Sequence, residues 1–198
     1  SGVSDYYATL DKINVPTTVS GRVTAEFEMA EPGKFAATNP EIYGQGSFSK
    51  KADCNGYEVI VDTKGTLLWP DAADMEKPYL ILTGENVTKE YLDYLDGQHI
   101  SWIACGKKNV DLVRAVEILS EQFHVERMGI VGGPKINTAF LKAGLLDEIS
   151  ILIGAGIDGR GGMPAVFDGL EMSHDVTALK LTDVQKFDSG AVWIRYAV

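Results

Sequence analysis

Two glycine turns stand where a strand-like run gives way to a helix-like run, and both have the residues to hold a phosphate. The first is Gly21-Arg22-Val23-Thr24, which follows the Val- and Thr-rich run 15–20. A glycine lets the backbone come close to a ligand, and a helix N-terminus offers free N–H groups to an anion. The alternative interpretation is a tight turn in which Thr24 caps the helix.

The second turn, Gly132-Gly133-Pro134-Lys135-Ile136-Asn137, follows an apolar run that ends at Val131. Its paired glycines leave no side chain between the backbone and a phosphate, and Lys135 and Asn137 can add polar contacts. Pro134 suits the first position of a helix, where its missing N–H costs nothing, and Gly144 suits the helix end. The pattern predicts an anion site, and an ordinary capped connection is the alternative.

A third glycine-rich segment, Gly154-Ala155-Gly156-Ile157-Asp158-Gly159, matches the dinucleotide fingerprint G-x-G-x-x-G literally. That fingerprint requires a helix to begin at the glycines. The following run, Arg160-Gly161-Gly162-Met163-Pro164, is a poor helix former. We therefore predict a flexible loop bordering the active site, and a Rossmann dehydrogenase is disfavoured.

Composition and charge exclude several function classes. Eighteen basic and 28 acidic residues give the 198-residue chain a net charge of −10, which repels nucleic acid. No apolar run reaches the roughly 20 residues of a membrane helix, and the polar first residues lack a signal-peptide pattern, so we expect a cytoplasmic protein with no membrane partner. The two cysteines cannot form a disulfide framework, and the three histidines are far apart in sequence, so no metal site is expected.

Strand-like runs alternate with helix-like runs along most of the chain, which favours a mostly parallel sheet flanked by helices. The end differs, because runs 176–184 and 191–198 are joined by the turn sequence Phe187-Asp188-Ser189-Gly190 and predict an antiparallel hairpin. No composition shift marks a second domain, so residues 1–198 are predicted to form one. The other predicted strands are 15–20, 57–61, 79–83, 100–105, 127–131 and 149–153, and the predicted helices are 22–30, 88–95, 111–123 and 134–143, with 33–52 as a polar loop.

In this order the motifs resemble those of the riboflavin-pathway reductases and, more distantly, of the dihydrofolate reductases. The turn at Gly21 is similar to the family's Gly-Arg-x-Thr, and the turn at Gly132 is similar to its Glu-Gly-Gly-x-x-x-Asn. The run 140–149 resembles the helix and the Leu-x-Asp-Glu strand that follow in the family. The resemblance covers the chain from about Tyr6 onward. It implies an α/β fold of the dihydrofolate-reductase type, bound NADPH, a small heterocyclic substrate and a homodimer.

The same resemblance implies which residues bind the cofactor. The first turn would lie against phosphates, and the second turn would hold the pyrophosphate and the nicotinamide side. The strand ends between them would border the adenosine half, where Lys64 or Lys107 would pair with the 2′-phosphate of NADPH. The residues so assigned are Gly21, Arg22, Thr24, Asp62, Lys64, Thr83, Gly84, Gly106, Gly132, Gly133, Pro134, Lys135 and Asn137, and no residue is assigned as catalytic.

Two features depart from the family pattern. The family opens with a strand ending in Ser-x-Asp-Gly that lines the substrate pocket, and this sequence starts after that point, so we expect that strand to be missing. Val131 stands where the family often has Glu before Gly-Gly, and an apolar side chain cannot accept a proton near the reacting ring. The leading hypothesis is a reductase resembling 5-amino-6-(5-phosphoribosylamino)uracil reductase. The alternative is a non-catalytic NADPH- or nucleotide-binding protein of the same fold.

Overall fold

A computed structural model of the chain describes residues 2–163 and 165–198. Pro164, which ends the helix-breaking run after the third glycine segment, lies outside the described residues. The helices are α1 (Gly2–Ile13), α2 (Arg22–Glu28), α3 (Lys89–Gly97), α4 (Leu112–Phe123) and α5 (Pro134–Lys142). The strands are β1 (Thr17–Gly21), β2 (Ser47–Ser49), β3 (Glu58–Val61), β4 (Tyr79–Thr83), β5 (Ser101–Ala104), β6 (Met128–Gly132), β7 (Glu148–Ile153), β8 (Lys180–Lys186) and β9 (Val192–Ala197).

Six strands form one sheet in the order β2-β5-β4-β3-β1-β6. Strand β1 pairs in parallel with β3 and β6, and β4 pairs in parallel with β3 and β5. The short strand β2 runs antiparallel to β5 and lies in the segment expected to be a loop. Its three residues, with a half-buried pattern, are too few for a periodicity to show. The mostly parallel sheet predicted from the alternation of strands and helices is confirmed.

The C-terminal hairpin forms with β7 a second, antiparallel sheet in the order β7-β9-β8. The hairpin is confirmed, but it pairs with β7 and not with the main sheet. Strand β8 begins at Lys180, after the predicted start at Val176, whose side chain is 96% exposed. The apolar run of β7 is compatible with either sheet, because a short apolar run does not specify its partner. The overall class, an α/β fold with a mixed set of strands, is as expected.

Helices on both faces of the main sheet bury its strands. Val59 and Leu80 belong to the apolar cluster that includes residues of α4 and α5, whereas Ile60 and Ile81 belong to the cluster that includes residues of α3. All four side chains are fully buried. Such near-continuous apolar strands are typical of a parallel sheet covered on both faces, where each buried side chain contributes about 1.5–3 kcal/mol.

Two of the predicted helices begin at a residue whose side chain caps the helix. The side chain of Thr88 accepts a hydrogen bond from the N–H of Tyr91 at 3.3 Å, and that of Asp111 accepts one from the N–H of Arg114 at 3.0 Å. Each cap satisfies one of the N–H groups that the first turn of a helix leaves unpaired. These caps fix the starts of α3 and α4 next to the ends of β4 and β5.

Helix α1 was not predicted from the sequence, and it joins the two sheets. Its Lys12 donates to Gln185 of β8 at 3.3 Å, and Asp5 accepts from Ser189 of the hairpin turn at 2.6 Å. At its end, the carbonyl of Ile13 accepts from Arg127 at 2.9 Å. These partners lie more than 100 positions away, so no local pattern reveals them. Within residues 2–163 and 165–198, no helix combines the length and the apolar character needed to cross a membrane.

Candidate nucleotide and substrate site

The carboxyl ends of the parallel strands meet at one edge of the main sheet. In the pairing register, Gly21 lies opposite Val61, Thr83 opposite Ala104, and Ser20 opposite Gly132. Parallel strands end at the same edge, and ligands of open α/β sheets bind there. The structure thus brings both glycine turns and the strand-end residues of the predicted cofactor site to a common edge.

The two glycine turns approach each other closely. A Cβ atom on Gly132 would lie 3.1 Å from the Oγ1 of Thr24 and 3.3 Å from the Oγ of Ser20. Gly133 has a φ of +76°, which L side chains rarely adopt, and a Cβ there would meet nothing closer than 3.8 Å. The first glycine is therefore required by close packing, whereas the second is required by its conformation and leaves open space on its outer side.

Helix α5 begins at this open space. Gly133 is its N-cap residue and carries no side chain to satisfy the first N–H groups, while Pro134 occupies the start of the helix as predicted. Lys135 is exposed beside it. Asn137 donates from its Nδ2 to the carbonyl of Val166 at 2.8 Å, and its buried Oδ1 has no partner among the described residues. This turn has the elements of an anion site, namely free backbone donors, a positive helix end and a nearby cation.

The first turn is arranged differently. Gly21 is the N-cap of α2 with an ordinary extended φ of −84°, so Thr24 is not the cap that one interpretation expected. The hydroxyl of Thr24 instead faces Gly132. Arg22 forms a 2.7 Å ion pair with Glu26 one turn further on. Of these side chains, Thr24 is the one whose position connects the two turns.

Asp62 is fully buried below the edge. Its carboxylate accepts from the N–H groups of Thr66 at 2.6 Å and Leu67 at 3.0 Å. The hydroxyl of Tyr91 also donates to it at 3.4 Å, and burial followed by the charge of Asp62 raises the pKa of that tyrosine. Asp62 therefore stabilises the turn after β3 from inside, and the adjacent Lys64 is the exposed side chain of this turn.

The ends of β4 and β5 form a tight backbone crossing. A Cβ atom on Gly84 would lie 3.3 Å from the carbonyl oxygen of Gly106, which itself has a φ of +89°. The side chain of Glu85, which the sequence analysis did not single out, accepts from the N–H of Gly106 at 3.2 Å. Thr83 is fully buried, and its Oγ1 has no hydrogen-bond partner within the described part of the chain. Lys107 is exposed just beyond this crossing.

Two cavities adjoin the second glycine turn, and Val131 lines both. One, of about 810 Å³, lies between β6 and β7 and includes Asn137 in its wall. The other, of about 900 Å³, is an open cleft lined by residues of α1, α2, the strands and the loop at 75–77, and it includes Ser20 and Thr24. We call the latter the α1–α2 cavity. The sequence analysis missed it because its walls come from segments far apart in the chain: Tyr6, Tyr7, Leu10, Thr18, Ser20, Thr24, Glu28, Met29, Glu58, Met75, Glu76, Lys77, Tyr79 and Val131.

An ion pair lies in the wall of the α1–α2 cavity. Lys77 lies 2.7 Å from a carboxylate oxygen of Glu58, and Thr18 donates to the other oxygen at 2.7 Å. Lys77 also contacts the hydroxyl of Thr18. The pKa of Tyr79 above this group is raised by burial and then by the charge of Glu58. The single lysine of the cavity wall is thus held by a carboxylate.

The sheet order and the strand-end edge define the class of the protein as an α/β domain of the dihydrofolate-reductase type. The chain belongs to the RibD C-terminal domain family, whose profile matches residues 21–193. This confirms the resemblance seen in the sequence motifs. The matched region corresponds to the C-terminal domain of RibD proteins.

Solved structures share the fold. A pyrimidine reductase-like protein from Corynebacterium diphtheriae superposes with a TM-score of 0.65 at 17% identity, covering 93% of this chain and 76% of that one. Acinetobacter baumannii RibD gives 0.62 at 18% identity, with 96% and 50% covered. A deaminase/5-amino-6-(5-phosphoribosylamino)uracil reductase from Thermotoga maritima gives 0.61 at 16%, with 96% and 48% covered. The chain thus spans about half the length of the latter two proteins, and at these identities the similarity is one of fold.

Proposed function

We propose that this chain is an NADPH-dependent reductase of a small heterocycle, similar in activity to 5-amino-6-(5-phosphoribosylamino)uracil reductase of riboflavin biosynthesis. The observation that carries the proposal is the open glycine turn at Gly132-Gly133, which leads into α5 and adjoins the α1–α2 cavity. A phosphate site beside a concave pocket is the arrangement that a dinucleotide and a second ligand require.

The residues of the edge fit the cofactor. The uncapped N-terminus of α5 suits a pyrophosphate, and Gly133, where a Cβ would meet nothing closer than 3.8 Å, leaves its outer side open to one. The buried oxygens of Thr83 and Asn137, unpaired within the described residues, suit hydroxyl or amide groups of a ligand. When bound, NADPH supplies a hydride, and the protein's part is to hold it and its acceptor in contact.

A preference for NADPH over NADH would come from cations at the adenosine end. Lys64 and Lys107 are both exposed, and within the described residues neither forms an ion pair. An unpaired ammonium group is free to bind the 2′-phosphate that distinguishes the two cofactors. The carboxylate of Glu85 accepts a hydrogen bond from the N–H of Gly106, between the ends of β4 and β5. It adds a negative charge to the proposed adenosine end.

Val131 favours a second candidate function. It is half-buried, lines both cavities and stands where the family often has Glu. An apolar side chain there excludes water but cannot move a proton. The second candidate is therefore a protein that binds NADPH without turning over a substrate.

A titration with NADPH and with NADH, followed by the fluorescence of the three tryptophans, tests the cofactor proposal. Saturation by NADPH with weaker NADH binding is expected, and Gly133→Val should abolish it because the side chain would enter the open space at the helix N-terminus. Gly144→Val is the matched control, since Gly144 also has a positive φ, of +68°, and a Cβ there would have nothing within 4 Å. Absence of NADPH binding by the folded wild-type protein would refute the proposal. If NADPH binds, its oxidation in the presence of a heterocycle would separate the reductase from the non-catalytic candidate.

We also propose that the protein forms a homodimer through segment 154–184. Three large apolar side chains of this segment are almost fully exposed, namely Ile157 at 98%, Met172 at 103% and Val176 at 96%. A stretch of exposed apolar residues that leads into β8, which is an edge strand of its sheet among the described residues, is typical of a protein interface. Sedimentation of the wild type and of a Met172→Glu/Val176→Glu variant tests this, and a wild type that stays monomeric at all concentrations would contradict it.

A further inference from the structure

Strands β6 and β7 are both edge strands, and residues of both line the cavity of about 810 Å³ that lies between them. We call this cavity the β6–β7 cleft. Within the described residues, β6 pairs only with β1 and β7 pairs only with β9, so each strand makes ladder hydrogen bonds on one side. The backbone N–H and C=O groups on the other side of a strand are a template for a further strand.

Helices cover the cleft from both faces of the main sheet. Leu119 of α4 lines the cleft and belongs to the same apolar cluster as Val19 of β1. Leu10 of α1 also lines the cleft, and it shares the α1–α2 cavity with Ser20. Because neighbouring residues of a strand point to opposite faces, Val19 and Ser20 place α4 and α1 on opposite sides of the sheet. The cleft therefore has strand edges as two of its walls and helices as the other two.

Strand β6 is less buried than its sequence predicts. All five residues of β4 are buried, because β4 has a paired strand on each side. Residues 128–131 of β6 are also mostly apolar, but they are only half-buried. A nearly continuous apolar run is typical of a parallel strand with neighbours on both sides. The sequence of β6 thus fits a sheet that continues into the cleft.

Helix α1 runs in the direction that a strand in the cleft requires. Near its start, Asp5 accepts from Ser189 of the hairpin turn, which lies beside the carboxyl end of β7 in the ladder with β9. At its end, the carbonyl of Ile13 accepts from Arg127, the residue before β6. The helix thus runs from the carboxyl end of β7 toward the amino end of β6, and it then leads into β1. This is the course of a helix that connects two parallel strands, of which β1 is the second.

From these observations we infer that the β6–β7 cleft takes an extended polypeptide strand that is parallel to β6 and continuous with the start of α1. This strand pairs with β6 on one side and with β7 on the other, so it joins the two sheets into one. Its backbone satisfies the N–H and C=O groups of both edges, and its apolar side chains pack against α1 and α4. A strand as long as the five-residue β6 spans about 17 Å. The inference concerns the completeness of the sheet and does not rest on the proposed reductase function.

The test adds a strand of this chemistry to the 198-residue chain. The probe has the sequence of residues 77–84, Lys-Pro-Tyr-Leu-Ile-Leu-Thr-Gly, which contains the buried strand β4. It is fused to the N-terminus through a short, flexible Gly-Ser linker. Hydrogen exchange followed by mass spectrometry then compares the amides of β6 and β7 with and without the fusion. We expect exchange there to slow by at least about tenfold, as for a strand whose effective concentration is ten times its Kd, and exchange in α3 to stay unchanged.

The matched control is the same fusion with proline in place of the isoleucine of the probe, because proline cannot donate to a ladder. It should leave the exchange of β6 and β7 as in the unfused chain. Equal protection by the proline control would overturn the inference, as would unchanged exchange in the original fusion.

Addition of the same peptide as a separate molecule identifies the source of the strand. Protection by the fusion, at a chain concentration where the separate peptide is less effective, supports continuity with α1, because linkage raises the effective concentration. Protection by the separate peptide but not by the fusion would overturn that continuity and assign the cleft to a strand of another polypeptide. None of these measurements needs NADPH, so their outcome is independent of the cofactor titration.

Discussion

Gly132 and Thr24 approach so closely that a Cβ atom on the glycine would lie 3.1 Å from the threonine Oγ1. The contact brings together the two glycine turns, which the sequence places on separate strands, β6 and β1. A hydroxyl and a bare backbone thus face each other at the carboxyl ends of adjacent strands. Any added methyl group must move one turn relative to the other.

Gly132→Ala is therefore expected to reduce both stability and cofactor affinity. The new Cβ would also lie 3.2 Å from the Cγ2 of Thr24, and overpacking of this kind costs about 1–3 kcal/mol. Urea unfolding measures the loss of stability, and NADPH titration measures the loss of affinity. Adding Thr24→Ala removes the two nearest atoms of the clash, leaves the Oγ of Ser20 at 3.3 Å, and should restore most of the lost stability. A Gly132→Ala variant as stable as the wild type would contradict the close approach of Gly132 to Thr24.

Asp62→Asn is expected to destabilise the protein without a direct effect on NADPH. The buried carboxylate accepts from two backbone N–H groups and from Tyr91, and hydrogen bonds to a charged group are each worth about 1.5–3 kcal/mol. Urea unfolding should show a loss of this size, whereas the exposed control Asp74→Asn should show little change. A variant of unchanged stability whose NADPH affinity falls would instead place Asp62 in contact with the cofactor.

Replacing the exposed lysines tests the adenosine end. Lys64→Ala or Lys107→Ala should weaken NADPH binding by about fivefold, the effect of an ion pair worth about 1 kcal/mol, and should leave NADH binding unchanged. The effect should shrink at high salt, since exposed charges are screened. Lys142→Ala, at an exposed position of α5, is the control. An equal loss for both cofactors would show that the lysine does not recognise the 2′-phosphate.

Local signals predicted much of the fold. Thr88 and Asp111 cap their helices because capping depends on residues three positions apart, and β4 occupies the predicted 79–83 because a fully apolar run marks a buried strand. The glycine turns were found for the same reason. Each is encoded by a few adjacent residues.

Features built from distant residues were not predictable in this way. The group of Thr18, Glu58 and Lys77 joins positions 40 and 59 apart, and α1 is held by the hairpin at the other end of the chain. The α1–α2 cavity and its carboxylates therefore do not follow from any single motif. Asp62 shows a further limit of local signals, since its place at a strand end does not reveal that its carboxylate is directed inward to the turn.

Cys105 is expected to resist alkylation in the folded protein. It is 3% exposed, its Sγ donates to the carbonyl of Asp111 at 3.4 Å, and burial followed by the charge of Asp111 raises its pKa from 9.0 to about 11. Because the thiolate is the reactive form, iodoacetamide at a pH below about 9 should modify it far more slowly than an unfolded cysteine.

The raised pKa also fixes a pH dependence of stability. The folded state favours the neutral thiol, so this contribution to stability is complete below the unfolded pKa of about 9 and is lost as the pH rises through about 11. Peptide mass spectrometry compares labelling of Cys105 with that of the half-buried Cys54. Labelling of Cys105 in native protein as fast as in guanidinium at pH 8 would show that the end of β5 opens readily, and the proposed adenosine end would then not be a rigid site.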